Sequence, residues 1–99
     1  MTPAQQAVQS AHAVADFILS NPEVSRTWHD TSNCLIILSV PTESELQQAA
    51  QTLIAADLTF SPFHEPDIDN QLTAIAVEPS DRAKRLCSRF KLALKNARL

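Results

Sequence analysis

Two short stretches of this chain carry the side chains best suited to activating a water molecule or holding a developing negative charge. The first is Gln9-Ser10-Ala11-His12-Ala13, and the second runs from Phe63 through His64-Glu65-Pro66-Asp67-Ile68-Asp69-Asn70-Gln71-Leu72-Thr73 to Ala76. His12 changes its charge near neutral pH, so it suits polarising a substrate or holding a water. It is also placed to pair with Asp16 one turn on, or to sit satisfied at the edge of a core. Gln9 has the amide to orient a substrate group, or to hydrogen-bond a turn. Glu65 and Asp67 lie close together, and like charges held near one another raise the pKa of one, as a general base requires. Acidic residues also favour solvated turns, which is the plainer reading of the same pair. Thr73 can hydrogen-bond a reacting group, although Thr is a common strand residue as well.

A second kind of chemistry lies in the distribution of charge. The net charge is −3, but residues 1–80 hold one base, Arg26, against ten acids, giving −9. Residues 81–99 hold seven bases against one acid, giving +6. Arg82, Arg85 and Arg89 flank one side of an apolar stripe there, and Lys84, Lys91, Lys95 and Arg98 flank the other. Such an array binds phosphate backbones through charge and counterion release without reading sequence. The same cations would equally serve the acidic body of the chain. A membrane surface is the third reading, disfavoured because a small domain needs that apolar stripe for its core.

Several functions are excluded outright. The chain contains no glycine, which removes the phosphate-cradling Walker loop and the dinucleotide fingerprint. Cys34 and Cys87 are far apart, and His12, His29 and His64 are scattered, so no zinc-ligand spacing exists. Both cysteines read as reduced core residues, and no metal or organic cofactor is expected. No apolar run approaches the roughly 18 residues of a membrane span, and no signal-peptide pattern appears. The expectation is one cytoplasmic domain over residues 1–99.

The elements that must position these residues follow from turn and capping signals. Thr2-Pro3-Ala4-Gln5 predicts a capped helix start, with Gln5 closing a capping box. Ala4, Ala7, Val8, Ala11, Ala15 and Ile18 recur at helical spacing and predict the buried face, leaving Gln5, Gln9, His12 and Asp16 as a polar stripe. Asn21-Pro22 ends that helix and opens a short second turn through Arg26. Asn33 to Val40 reads as a strand buried on both faces. Thr42-Glu43-Ser44-Glu45 is a second capping box, opening a helix with Leu46, Ala49, Ala50, Leu53 and Ile54 inward. Leu58 to His64 is a weaker strand, placed at an edge by Pro62, and Leu72 to Val77 is a stronger one. Pro79-Ser80-Asp81 caps a basic final helix over residues 81–98. The predicted order is α-(α)-β-α-β-β-α, an α/β fold resembling a three-layer sandwich: a small mixed sheet with helices on both faces.

From about Ala4 to Pro79 the chain resembles the second, archaeal/eukaryotic-type class of peptidyl-tRNA hydrolases. The resemblance rests on the Gln-x-x-His-Ala helix, the acid-bearing turn and the Thr-containing last strand. It rests also on Trp28 before a turn, the apolar strand at Cys34 and Ala76-Val77-Glu78-Pro79 closing the last strand. Members use a lysine four residues before the motif glutamine, which falls here on Gln5. Their turn aspartate falls on Glu65 or Asp67, and their strand threonine on Thr73. Their first strand has no counterpart before the helix that begins this chain.

The resemblance implies hydrolysis of the ester joining a peptidyl or acyl group to tRNA by a positioned water. Glu65 or Asp67 would act as base or orienter, with Gln9, His12 and Thr73 bonding the ester and its oxyanion. The basic helix would hold the tRNA. The alternative it leaves open is a catalytically inactive relative that binds RNA or protein. With three predicted strands and an open sheet edge, a homodimer is expected, joined at edges or through Leu86, Phe90 and Leu94.

Overall fold

The protein, seen in a computed structural model, is described over residues 1–93. Its first helix, α1 (Pro3–Ser20), begins as its sequence dictates. The Thr2 hydroxyl accepts from the Gln5 amide at 3.1 Å, while Gln5 Oε1 accepts from the Thr2 amide at 2.8 Å. Asn21 closes the helix by directing both its backbone N–H and its side-chain amide at the Phe17 carbonyl. Pro22 then opens α2 (Pro22–Asp30), longer than the expected short turn.

The buried face of α1 is not the predicted one. Gln9, Ala13 and Phe17, spaced four apart, are its buried residues, whereas Ala4, Ala7, Val8, Ala11, Ala15 and Ile18 are exposed. Apolar periodicity identifies the face richest in alanine and valine. Here a narrower row wins, because Phe17 supplies bulk, Ala13 permits close approach and Gln9 finds a partner.

After α2 the chain turns on Trp28, whose indole N–H donates to the Cys34 carbonyl at 2.8 Å. The strand expected from Asn33 to Val40 contracts to β1 (Leu38–Ser39), and Leu35 and Ile36 are exposed. Next come α3 (Glu43–Ala55), β2 (Phe60–Glu65), a 3-10 turn (Pro66–Ile68), β3 (Gln71–Val77) and α4 (Asp81–Cys87). Thr42 caps α3 by accepting from the Glu45 amide at 3.2 Å. Leu46, Ala49, Ala50 and Leu53 turn inward as expected, but Ile54 is exposed.

The final helix is also corrected. It stops at Cys87 instead of running to residue 98, since the Phe90 amide closes on the Cys87 carbonyl and the Ser88 hydroxyl takes that of Arg85. Lys91–Leu92 then forms β4, which pairs antiparallel with β1 in the register Leu38↔Leu92. An otherwise unpaired strand thereby gains a partner, and a backbone with polar groups near a core requires one. Leu94, Lys95 and Arg98 lie outside the described residues.

The result is an α/β fold in which helices pack on small antiparallel sheets, the order being α-α-β-α-β-β-α-β. Among the described residues, two two-stranded antiparallel sheets, β1–β4 and β2–β3, stand where a small mixed sheet is expected from sequence. Helix α1 packs on both β2 and β3, and α3 packs on β3. Where β3 lacks a second strand, the Glu43 carboxylate accepts from the Leu72 amide at 2.9 Å.

The absence of glycine is met by Asn and Asp. Asn33, Asp57, Asp69 and Asn70 take positive φ, between 48° and 59°, which these residues tolerate better than most. At the end of α3, Asp57 does what glycine usually does. Its amide bonds to the Ile54 carbonyl and that of Leu58 to Leu53, bringing Leu58 against Leu53. Those two leucines and Ala83 form the core cluster, with Phe60, Ile75, Val77 and Leu86 around them.

Leu53, 2% exposed, should therefore carry stability. We expect Leu53→Ala to cost about 2–5 kcal/mol in urea unfolding. Val8→Ala, on the outer face of α1, should stay within about 0.5 kcal/mol.

Candidate active site

The site begins with an irregularity in the β2–β3 hairpin. Pairing runs from Phe60↔Val77 to Phe63↔Ala74, then shifts to His64↔Leu72. Thr73 is thus the extra residue of a β-bulge, with no partner across the hairpin. A bulge re-aims a side chain, and bulges recur beside active sites. The Thr73 hydroxyl donates to Gln9 Oε1 on α1 at 2.7 Å, with a longer approach of 3.4 Å to the Phe63 carbonyl.

The short bond joins residues 64 apart in sequence and satisfies a Gln9 that is 7% exposed. It also fixes the amide, since Oε1 must accept and Nε2 is left as a donor.

One turn further along α1, His12 lies flat on Phe63. The ring centroids are 4.7 Å apart and the planes differ by 9°. This stack holds the imidazole plane parallel to the Phe63 ring. Among the described residues His12 has no hydrogen bond to the protein, so the pairing with Asp16 weighed from sequence does not form. Phe63 had been assigned no role from sequence. Its place opposite Ala74 in the hairpin was the signal, because it puts an aromatic ring beside the strand threonine.

The structure therefore brings Gln9, His12 and Thr73 together around Phe63. Glu65, half-buried, ends β2, and Asp67 is exposed within the 3-10 turn. The Glu65 carbonyl accepts from the Asn70 amide at 3.0 Å, which closes this turn. Among the described residues neither carboxylate forms an ion pair or bonds to His12, Gln9 or Thr73. They sit two and four positions along the chain from Phe63, at the rim. Gln5, where the resemblance places a lysine, is committed to the cap of α1.

The basic residues Arg82, Lys84 and Arg85 lie on α4, Arg89 after it, and Lys91 on β4; all five are exposed. Arg82 donates to the Ala56 carbonyl, and the Arg89 guanidinium sits 4.9 Å from the Phe90 ring centroid. Among the described residues no Lys or Arg is within ion-pair distance of a carboxylate; the one pair is His29–Asp30. The acidic body does not consume these cations.

Cys34 is exposed and Cys87 half-buried, and they form no disulfide. Burial pushes the Cys87 thiol above its ordinary pKa, with Arg89 pulling weakly the other way. At neutral pH it stays protonated, which does not suit a nucleophile. Among the described residues no group of three or more His, Cys, Asp or Glu is gathered to hold a metal ion. None of their helices is long and apolar enough to cross a membrane.

The fold and site are those of a small α/β domain that sets a helix-borne Gln and His against a hairpin bearing a bulged Thr. The family model for Peptidyl-tRNA hydrolase PTH2 matches residues 1–93, and the chain belongs to that family. No curated protein gives a match.

The Gln9–Thr73 bond has a measurable consequence. Thr73→Val leaves a buried amide oxygen without its donor and should cost about 1–3 kcal/mol in urea unfolding. Adding Gln9→Leu removes the stranded group, so the double variant should recover much of that loss.

Proposed function

We propose that this protein hydrolyses the ester linking a peptidyl or acyl group to tRNA. The observation that carries the reading is the Thr73–Gln9 bond set beside the His12–Phe63 stack, in a chain of this family. Gln9 Nε2, fixed by the Thr73 bond, supplies a donor for the carbonyl oxygen as it gains charge. Such fixed donors are worth most where reorganisation has already been met by folding. The Thr73 oxygen keeps its lone pairs for a water or the ribose hydroxyl. His12, held flat, offers a ring nitrogen to orient the attacking water. Glu65 or Asp67 draws off its proton once substrate brings that water to the turn, and the proton passes to the ribose oxygen as the ester C–O bond breaks.

Purified protein should release labelled acyl group from N-acyl-aminoacyl-tRNA. His12→Ala should lower the rate by about a hundred-fold or more, and so should the change at whichever of Asp67 and Glu65 is the base. Release that persists undiminished in His12→Ala and in Glu65→Ala/Asp67→Ala would sink the mechanism.

One observation favours the second reading, a non-catalytic RNA- or protein-binding relative. Gln5 stands where the resemblance places a lysine, and its side chain is spent on the helix cap. Absence of acyl release with retained tRNA binding would select it.

In both readings tRNA is held by the basic segment. The exposed Lys84, Arg85 and Lys91, left unpaired by the protein's own carboxylates, support this. Each neutralised phosphate contributes about −0.7 to −0.9 to the slope of log affinity against log salt. Replacing all three by Gln should weaken tRNA binding and flatten the slope by about two. An unchanged slope would place the RNA elsewhere.

We also infer a cytoplasmic homodimer, as tRNA chemistry and the exposed apolar surface suggest. Val8 and Ile18 on α1 are 53% and 39% exposed, a better candidate contact than the final helix, which is too short. Light scattering at micromolar concentration should give twice the chain mass, and Val8→Glu/Ile18→Glu should give a monomer.

A further inference from the structure

An open groove of about 600 Å3 lies at the far end of the α1–β2 seam, lined by Asp16, Leu19, Ser20 and Asn21 on one wall and by Thr59 to Pro62 on the other. Its two walls are the later residues of α1 and the start of β2, the elements that carry His12 and Phe63. Asp16 follows His12 by one helical turn, a rise of about 6 Å. Pro62 precedes Phe63, on which His12 is stacked. We propose that this groove receives the peptidyl arm of the substrate and selects for a free α-ammonium group at its end. The proposal rests on the ester lying at Gln9, His12 and Thr73.

Three features make the groove a site for a cation attached to an apolar chain. The Asp16 carboxylate lines it, and among the described residues no cation stands within ion-pair distance of that carboxylate. The groove also holds the C-terminal end of α1, where the helix dipole favours positive charge, and the last turn of α1 contains no basic residue. At the other wall, the Glu78 carboxylate accepts from the Thr59 amide at 2.7 Å, which brings a second negative group to that end. Leu19 and Pro62 add apolar lining beside them.

Length is consistent with a short peptide. From His12 to Asn21 the helix rises about 14 Å. An extended peptide covers about 3.3–3.6 Å per residue, so two to four residues take the chain from the ester into the groove. Its α-amino group, with a pKa of about 8, is charged at neutral pH. A blocked N-terminus would leave the carboxylate unpaired and gain nothing from the dipole. The groove thus distinguishes short peptidyl groups with a free amine from acylated ones.

The test uses 3′-dialanylamino-3′-deoxyadenosine, whose amide replaces the labile ester, and the same compound acetylated at its N-terminus. Binding is measured by calorimetry or by amide chemical-shift titration at pH 6.5. The unmodified protein should bind the free-amine compound about three- to ten-fold more tightly. Asp16→Asn should reduce that ratio below about two-fold. Glu23→Gln, an exposed charge on α2 outside the groove, should leave it unchanged. Equal affinity for both compounds, a preference that survives Asp16→Asn, or an equal loss in Glu23→Gln would each overturn the proposal. Acyl release from peptidyl-tRNA is scored on the same preparations. Release without amine preference removes the groove alone, whereas amine preference without release removes hydrolysis and keeps the groove.

Discussion

The hydrogen bond from the Thr73 hydroxyl to Gln9 Oε1 is the contact on which the site depends. It exists because β3 carries one residue too many for its partner strand, and the bulge turns Thr73 toward α1. A buried glutamine would otherwise be costly, since an amide deprived of partners loses its bonds to water without replacement. Once that cost is met, α1 can dock by a polar row. Docking by this row sets the rotation of the helix about its axis. That rotation lays His12 on Phe63 and sends Val8, Ile18 and Leu19 outward. One bond of 2.7 Å thus determines which side chains of the first helix face the hairpin and which face solvent.

Much of this was legible in the residues, and the rest was obscured for physical reasons. Helix starts were readable because capping is local: Thr2 with Gln5, Thr42 with Glu45 and Ser80 with Ala83 all bond within three positions. The β2–β3 hairpin and its turn were readable from Pro62 and the Asp-Asn pair. The buried face of α1 was not, because counting apolar residues weighs alanine like phenylalanine, and no count knows that Gln9 will find a hydroxyl 64 residues later. The end of the final helix was not either. Its apolar stripe continues past Cys87, but β1 competes for the same segment as a strand partner.

The candidate site divides along the same line. Gln9, His12 and Thr73 are singled out by type and resemblance; Gln9 and Thr73 share a hydrogen bond, and His12 stacks on Phe63. The two acids are singled out for their proximity in sequence, yet Glu65 ends β2 half-buried, Asp67 is exposed in the turn, and neither bonds to the others. Phe63 escaped notice because a strand phenylalanine is ordinarily core. Here its ring is a platform whose value is visible only with His12 on top of it.

The order of elements along the chain has a consequence during synthesis. The buried row of α1 is complete when residue 20 has been made, but the strands that cover it are not complete until Val77. At about 5–20 residues per second, that interval lasts roughly 3–11 s on the ribosome. Throughout it, Phe17 has no hairpin to pack on, and a helix of this length is only marginally stable by itself in water. Helix α1 is therefore stabilised late relative to its own synthesis. A helper that shields nascent apolar segments would act on α1 before the hairpin that covers it exists.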